Sequence, residues 1–338
     1  MAPLRRGTYA LIVFAMVAFA TPWYGLQDRS PMAKSVIDPN KAYASAVCRE
    51  DLAELAGIHP KLIEVRAIGR SVFGRDLQLA SMGTGKKKIL IIGSTHGREW
   101  MTSMLLMRMI ETYAQASRGS TKVGTYDVAR ILSQVTMLFV PMLDPDGVDI
   151  SLSGLEAGGD AKLLLRANLG RRDFSSWKAN ARGVNLNMQF QANWSKAISL
   201  DAPHYEKYKG PAPESEPESR ALADLVRKEK PDVVLAYHAT GRVIYWYYYQ
   251  TGAAYRRDQA LAIQLGRLTG YPPAVENKYN RHGGLKDWFI LAFQRPAFTI
   301  EIGKKTDARA LPLSAFETIW KENGTTPLYV AAWLTSAH

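Results

Sequence analysis

Short apolar runs alternate along the chain with longer segments in which apolar residues recur at helical spacing. Short apolar runs between polar turns predict buried strands, and helical spacing predicts amphipathic helices. The predicted strands cover residues 88–93, 135–143, 233–237 and 297–302, and the predicted helices cover residues 101–116, 216–228 and 256–268. SEPE at residues 215–218 has capping-box spacing with proline in the first turn, which predicts that a helix begins there. The alternation predicts an α/β fold with a mixed, mostly parallel central sheet and helices on both faces.

Residues 1–20 have the features of a secretory signal. Arg5 and Arg6 precede an apolar run over residues 9–20, and AFA at residues 18–20 has the small-x-small pattern that signal peptidases accept. The run is shorter than the roughly 20 apolar residues that a comfortable membrane span needs, which favours a cleaved signal over a permanent anchor. We therefore expect an exported protein, periplasmic or extracellular, with no stable membrane insertion after signal cleavage.

The rest of the chain is expected to form one domain. Residues 21–42 are polar and contain proline, which predicts a linker or a short propiece. The chain has 338 residues, of which 47% are hydrophobic, so residues 43–338 can bury a full-sized core. No internal repeat divides this segment, and we expect a monomer.

Charge and cysteine content narrow the kinds of partner and site. The formal net charge is +12 at pH 7, but neither a compact basic block nor an RNA- or DNA-binding motif is present, so we expect no nucleic-acid partner. Cys48 is the only cysteine, which excludes an intrachain disulfide and cysteine-rich zinc clusters. Any metal must then be held by histidines and carboxylates.

A polar turn that follows the predicted strand 88–93 contains His96 and Glu99. Ligands of open α/β sheets collect beyond the carboxyl ends of strands, and two side chains three positions apart in such a turn can face one crevice. They would present a nitrogen and an oxygen to zinc. His-x-x-Glu spacing alone is common by chance, so this interpretation needs further support.

Support comes from two other predicted strands. His238 follows the run 233–237 and should reach the same sheet edge, which gives three protein ligands and leaves a fourth position open, as in catalytic zinc sites. Glu301 stands in the otherwise apolar run 297–302, where a lone buried carboxylate is costly unless it is paired or used. An acid beside an activated water can take its proton and pass it to a leaving amine. A hydrogen-bonded core histidine and an ordinary ion pair are the alternatives for these two residues.

Several ordered motifs together resemble the zinc carboxypeptidase family over most of the chain from about Tyr43 onward. The motifs are GRSVFGRDL at residues 69–77, HGREW at 96–100, PDG at 145–147, GVNLN at 183–187, His238, and FTIE at 298–301. The resemblance implies one zinc ion per chain, held by His96, Glu99 and His238. It also implies that Glu301 is the general base and acid.

The resemblance further implies three substrate contacts. Arg98 would face the substrate as a cation, and Asn187 would help to position the peptide. Tyr279 would correspond to the mobile active-site tyrosine of the family, and its glycine-rich context suits a loop that closes over substrate. An ordinary surface-loop aromatic is the alternative for Tyr279.

Three positions depart from the family pattern. Met188 follows Asn187 where ordinary members have an arginine that binds the substrate's terminal carboxylate, and a thioether cannot supply charged, bidentate hydrogen bonds. Lys178 stands where an arginine polarises the scissile carbonyl, and Arg182 is a competing candidate for that role. Asn185 stands where many members have an aspartate that orients the first zinc histidine. An amide can still accept the imidazole hydrogen bond but brings no charge.

The segment WKANARGVNLNMQF at residues 177–190 is similar instead to the bacterial branch that hydrolyses γ-D-glutamyl-diamino acid bonds. This similarity implies a peptidoglycan stem peptide as substrate, cut between γ-D-glutamate and meso-diaminopimelate or a related diamino acid. Two alternatives stay open. One is a metallocarboxypeptidase that finds the substrate carboxylate through another cation, and the other is an inactive module that binds cell-wall polymers.

Overall fold

A computed structural model of the chain describes residues 35–274 and 282–336. Its strands are β1 (Ile63–Arg70), β2 (Asp76–Met82), β3 (Lys87–Ile92), β4 (Lys122–Val123), β5 (Tyr126–Asp127), β6 (Val135–Val140), β7 (Val233–Ala239), β8 (Val243–Tyr245), β9 (Pro273–Ala274) and β10 (Ala297–Ile302). Its helices are α1 (Ser45–Ile58), α2 (Met101–Arg118), α3 (Val128–Gln134), α4 (Pro145–Ser153), α5 (Ala161–Ala167), α6 (Pro217–Glu229), α7 (Gly252–Thr269), α8 (Leu285–Phe293), α9 (Phe316–Asn323) and α10 (Thr326–Thr335). Every strand and helix predicted from the sequence is present, with ends that differ by a few residues.

Eight strands in the described part of the chain form one mixed sheet, in the order β1-β2-β6-β3-β7-β10-β8-β9. The centre of the sheet is parallel, because β6, β3, β7 and β10 run in the same direction. Antiparallel pairing occurs between β1 and β2, between β2 and β6, and between β10 and β8. The predicted mixed, mostly parallel sheet is therefore confirmed.

Helices cover both faces of this sheet. Successive residues of a strand point to opposite faces. Accordingly, Ile89 and Ile91 of β3 pack in the core formed with α2, α7, α9 and α10, whereas Leu90 and Ile92 pack in the core formed with α6 and α8. Strands buried on both sides need near-continuous apolar sequences, which is why these runs could be recognised without a structure.

The packed region begins upstream of the boundary expected near Tyr43. Ile37 is buried in the core, and the backbone N–H of Val36 donates to Glu111 Oε1 at 2.8 Å. The last residues of the stretch 21–42 therefore belong to the folded domain rather than to a linker. A residue as apolar as Ile37 in a polar stretch was the signal for this packing.

The predicted secretory signal, residues 1–20, lies outside the described residues. The first part of the predicted linker lies outside them as well. Among the residues that are described, no helix is both long and apolar enough to cross a bilayer.

Candidate metal centre

The histidines and glutamates singled out in the sequence lie at one edge of the sheet. β3 and β7 are adjacent and parallel, and β10 runs parallel to β7 on its other side. His96 and Glu99 follow β3, while His238 lies near the end of β7 and has Glu301 as its Cα partner on β10. The chain passes from β3 to β6 on one side and later enters β7 on the other side. Such a switch point opens a crevice beyond the strand ends.

Three of these side chains bring their polar atoms together. His96 Nδ1 lies 2.9 Å from Glu99 Oε1 and 3.2 Å from His238 Nδ1, and His238 Nδ1 lies 3.1 Å from Glu99 Oε2. All three residues are buried. Within residues 35–274 and 282–336, this is the one group of three or more histidine, cysteine or acidic side chains whose ligand atoms lie close enough to hold a metal ion.

The spacing of these atoms fits zinc. Zinc–ligand bonds of about 2.0–2.1 Å in a tetrahedron place neighbouring ligand atoms roughly 3.3 Å apart. The two histidine nitrogens are 3.2 Å apart, and each lies 2.9 or 3.1 Å from a different oxygen of the Glu99 carboxylate, separations that are close to that edge length. Two nitrogens and one carboxylate also match the ligand types of a catalytic site, which keeps its fourth position for water or substrate. His96, Glu99 and His238 are therefore a suitable ligand set for the expected zinc.

Asn185 determines which nitrogen of His96 faces the metal position. Asn185 Oδ1 accepts a hydrogen bond from the backbone N–H of Asn187 at 2.9 Å and lies 3.1 Å from His96 Nε2. Because this amide oxygen is an acceptor, His96 Nε2 carries the hydrogen. Burial lowers the pKa of His96 to about 3, so the ring is neutral at pH 7 and Nδ1 keeps its lone pair. That lone pair faces Glu99 Oε1, and two acceptors this close call for a cation between them.

Glu99 is held as a carboxylate by its surroundings. Burial acts to raise the pKa of Glu99, but the Lys178 ammonium and a hydrogen bond with His238 hold it well below its ordinary value. The backbone N–H of Ala239 donates to Oε2 at 3.1 Å, and Lys178 Nζ lies 3.5 Å from Oε1. Glu99 therefore offers a negative charge to a metal.

Glu301 lies on the face of the sheet that carries His238. Residues in register on parallel strands point to the same face, and Glu301 is in register with His238. Thr299, two residues earlier and on the same face, lines a cavity together with His96. Glu301 itself is half-buried. This position is compatible with an acid beside the metal, and its catalytic role stays a prediction.

Lys178, and not Arg182, lies at the metal centre. Lys178 lines the cavity beside His96, and the backbone N–H of Gly97 donates to Lys178 O at 3.2 Å, which holds the two segments together. Arg182 points elsewhere, since its Nη1 lies 3.6 Å from Glu216 Oε2 and its side chain is 54% exposed. Of the two candidates for the oxyanion group, the geometry favours Lys178.

Of the three residues expected to contact the substrate, the structure describes two, Asn187 and Arg98. Asn187 lines the cavity. Arg98 Nη1 donates to two backbone carbonyls at 3.2 and 3.0 Å, and only 11% of the Arg98 side chain is exposed, so it connects the loops around the metal turn. Tyr279 lies outside the described residues.

The cavity next to the metal ligands has a volume of about 370 Å³. Its walls include residues that the sequence analysis missed, among them Lys286, Asp287 and His282. Lys286 and Asp287 are buried at the start of α8, with 2.5 Å between Lys286 Nζ and Asp287 Oδ1. A signal was present in the sequence, because these two charges stand side by side in the otherwise apolar helix LKDWFILAF.

Comparisons with known proteins agree with this geometry. A family model described as zinc carboxypeptidase matches residues 48–326. The Gamma-D-glutamyl-L-diamino acid endopeptidase 1 of Lysinibacillus sphaericus is 34% identical over 290 residues, which cover 85% of this chain and 72% of that protein. Carboxypeptidase B of Rattus norvegicus is 25% identical over 272 residues, which cover 74% of this chain and 60% of that protein.

The fold also matches solved structures. The structure of bovine thrombin-activatable fibrinolysis inhibitor superimposes with a TM-score of 0.72, covering 88% of this chain and 98% of that one. The sequence identity of this pair is 18%, so the likeness concerns the fold alone.

Proposed function

Since the chain belongs to the zinc carboxypeptidase family, it is a zinc metallopeptidase, and we propose that its substrate is a peptidoglycan stem peptide. The bond hydrolysed is the amide between γ-D-glutamate and a diamino acid, meso-diaminopimelate. The observation that carries this proposal is the 34% identity, over 85% of the chain, to a relative whose name describes the same kind of bond.

The cavity supports an activity other than removal of the last residue of a peptide. Met188 lines it beside Asn187, at the position where ordinary carboxypeptidases of the family carry a carboxylate-binding arginine. A thioether has no charged donor, so a free C-terminal carboxylate lacks its bidentate partner there. An amide bond within a stem peptide does not require that partner.

Hydrolysis requires proton transfer and charge stabilisation, and different residues of the metal centre perform these two tasks. His96, Glu99 and His238 would hold the zinc ion, which would supply the Lewis acidity that lowers the pKa of a water and polarises a carbonyl. Glu301 takes the proton of the attacking water and delivers it to the leaving amine of the diamino acid. Lys178 Nζ stabilises the negative charge that develops on the carbonyl oxygen.

The remaining residues position the peptide. Asn187, in the cavity wall, offers its amide to the substrate backbone. Arg98 adds positive charge to the loops around the metal turn, and the substrate contact expected of Tyr279 stays a prediction. The assembled peptidoglycan wall lies outside the cytoplasmic membrane, which is compatible with the export expected from residues 1–20. The expected monomer stays a prediction.

A metallocarboxypeptidase is the second candidate, favoured by the similarity to rat carboxypeptidase B. It would have to bind the terminal carboxylate with a cation other than an arginine at position 188. An inactive wall-binding module has less support, because the chain contains the complete ligand set together with Glu301.

The test compares zinc-loaded wild type with Glu301→Gln on a γ-D-glutamyl-meso-diaminopimelate muropeptide. The wild type should release a diaminopimelate fragment, which mass spectrometry detects. Glu301→Gln should bind zinc normally but turn over at least about 100-fold more slowly, because an amide cannot exchange the proton. Glu317→Gln, at an exposed position of α9, is the matched control and should keep wild-type activity.

Full activity of Glu301→Gln would contradict the role given to Glu301. Absence of release by the zinc-loaded wild type would contradict the substrate. Release that disappears when the C-terminus of the same peptide is amidated would identify the metallocarboxypeptidase, because an endopeptidase tolerates that change.

A further inference from the structure

A buried pair of opposite charges, Lys286 and Asp287, forms part of the wall of the metal-site cavity. Both side chains are 3% exposed, and Lys286 Nζ lies 2.5 Å from Asp287 Oδ1. Both residues line the same cavity as His96 and Lys178, which lie at its metal end. A substrate group that extends from the metal into this cavity would therefore contact Lys286 and Asp287.

Stability alone does not explain why charges stand at this position. Removing two charges from water costs several kcal/mol per ion, and apolar residues of similar volume often serve a core equally well or better. The other residues of α8 are apolar, and four of them, Leu285, Trp288, Phe289 and Ile290, pack in the core formed with α6. Apolar side chains could therefore have filled positions 286 and 287. A charged pair in a cavity wall is instead typical of a binding site, where each charge meets an opposite charge of the ligand.

The pair is held in a fixed arrangement. Lys286 Nζ donates to the backbone carbonyl of Tyr247 at 3.0 Å and lies 5.7 Å from the ring centroid of Tyr248. Asp287 lies in the first turn of α8, where the positive end of the helix dipole favours a carboxylate. Groups that are fixed before a ligand arrives lose little freedom on binding, which favours affinity and selectivity.

The ligand that matches both charges is a zwitterion. The side chain of meso-diaminopimelate ends in a carbon that bears a carboxylate and an ammonium, whereas the side chain of lysine ends in an ammonium alone. A cavity of about 370 Å³ is at the small end of the range for ligand sites, roughly 300–1,000 Å³, and suits a single residue of this kind.

We propose that Lys286 and Asp287 bind the zwitterionic end of the diaminopimelate side chain, with Lys286 on the carboxylate and Asp287 on the ammonium. This inference rests on the proposed function, because it concerns the leaving residue of that reaction. It makes the pair the determinant that selects diaminopimelate over lysine on the leaving side of the bond.

The test uses two synthetic peptides that differ only in the residue after γ-D-glutamate, meso-diaminopimelate or L-lysine. Zinc-loaded wild type should prefer the diaminopimelate peptide. In the double variant Lys286→Met/Asp287→Asn, kcat/KM for that peptide should fall about 10- to 100-fold, mainly through KM, because hydrogen bonds to charged groups are lost. For the lysine peptide, kcat/KM should stay within about threefold, because the double change removes both the attraction of Asp287 and the repulsion of Lys286 for the single ammonium of that side chain.

The double variant avoids the misfolding that Lys286→Met alone could cause, since the single change would leave the buried Asp287 without its cation. Thermal unfolding and zinc content verify that the variant is folded and loaded. Lys162→Met, at an exposed lysine of α5, is the matched control and should leave both rates unchanged.

The outcomes separate the two proposals. If the wild type cleaves both peptides equally, or if the folded double variant keeps the preference of the wild type, the inference is wrong while the proposed function stands. If the zinc-loaded wild type cleaves neither peptide, the proposed function fails and the inference fails with it.

Discussion

The amide of Asn185 has a fixed orientation because both of its ends are engaged. Asn185 Nδ2 donates to Glu206 O at 2.8 Å, and Oδ1 accepts from Asn187 N–H at 2.9 Å. The oxygen therefore faces His96 Nε2 and cannot be exchanged with the nitrogen without losing both bonds. An uncharged residue thus performs the orienting part of the task that an aspartate performs in many relatives.

Replacement of this amide should weaken zinc binding. In Asn185→Ala, His96 loses the acceptor that fixes its ring and its tautomer, so zinc affinity should fall about 10- to 100-fold. Competition with a chromogenic chelator measures the zinc Kd. Asn40→Ala, at an exposed asparagine, is the control and should bind zinc as the wild type does. An unchanged Kd in folded Asn185→Ala would show that Asn185 does not support the ligand.

At the scale of elements, the turn between β3 and α2 is locked to two other segments. Arg98 N–H donates to Trp177 O at 2.8 Å, which anchors the turn to the loop that contains Lys178. On the other side Gly97 packs against α4 so closely that a Cβ at this position would lie 2.2 Å from Gly147 O. Both contacts involve backbone atoms, so the position of His96 and Glu99 depends on a glycine between them.

Gly97→Ala should therefore damage both the fold and the centre. The backbone of α4 cannot yield as a side chain would, and overpacking of this kind costs about 1–3 kcal/mol of the free energy of unfolding. Zinc affinity should fall as well, because the turn carries two ligands. Denaturant unfolding and the zinc Kd measure the two effects.

Gly57→Ala is the matched control for this substitution. Gly57 lies within α1 and an added Cβ there meets nothing within 4 Å, so alanine should raise the free energy of unfolding by about 0.5–1 kcal/mol. If Gly97→Ala were as stable as Gly57→Ala, the close approach of the turn to α4 would not constrain the centre.

The central elements could be predicted from the sequence, and the edge elements could not. β7 is buried along its whole length, and the last four residues of β3 are apolar and buried, so the sequences alone identify these strands. β1 exposes residues along its length, and β8 and β9 have three and two residues, too few to give a pattern. Such strands exist because a neighbouring strand pairs with them, and local sequence does not encode that neighbour.

The start of α6 shows the same limit. The capping box predicted at residues 215–218 is wrong in detail, because α6 begins at Pro217 after Glu216 and no side chain caps it. Ser215 Oγ instead donates to Gln189 Oε1 at 3.2 Å. The side chain of Ser215 therefore binds a residue of a distant loop instead of the helix backbone. The proline in the first turn was predicted correctly.

The site residues, too, could be predicted only where local sequence determines their position. His96, Glu99 and His238 could be recognised because strand ends must meet at one edge of a parallel sheet. Lys178 could not be distinguished from Arg182, because both lie in irregular chain whose path depends on contacts with remote segments. Lys286 was not recognised although it stands beside Asp287 in an otherwise apolar helix, because two charges at the start of a helix do not by themselves indicate whether that start lies in a cavity wall or at the surface.

On the scale of the whole molecule, two buried acids lie where the β1–β2 hairpin, α4 and α6 meet. Glu218 accepts hydrogen bonds from Val72 N–H at 3.0 Å and from Asn180 Nδ2 at 3.2 Å, and Asp144 caps α4 by accepting from Gly147 N–H at 2.9 Å. Burial raises the pKa of Glu218 to about 7. Burial, together with the charge of Glu218, raises the pKa of Asp144.

Global stability should therefore depend on pH through Glu218. Its pKa rises from 4.5 in the unfolded chain to about 7 in the fold, so the folded protein holds more protons between those values. The free energy of unfolding then falls as pH rises through that window. Glu218→Gln lacks this titration and should gain up to about 3 kcal/mol relative to the wild type between pH 5 and pH 8.

Denaturant unfolding at pH 5 and pH 8, at one free zinc concentration, measures this difference. The exposed Glu317→Gln should differ from the wild type by the same amount at both pH values. An equal difference at both pH values for Glu218→Gln would mean that Glu218 is ionised throughout and that its burial has no energetic effect on folding.

The alternation of the strands between two cores also constrains how this chain can diverge. His238 and Glu301 point to the α6 and α8 side only because each strand keeps its residue count up to that point. One inserted or deleted residue in β7 or β10 would turn the imidazole or the carboxylate toward the opposite core. Descendants of this sequence can therefore tolerate changes of length in the connecting loops. An insertion or deletion within β7 or β10, in contrast, would remove a side chain from the metal centre and abolish the chemistry.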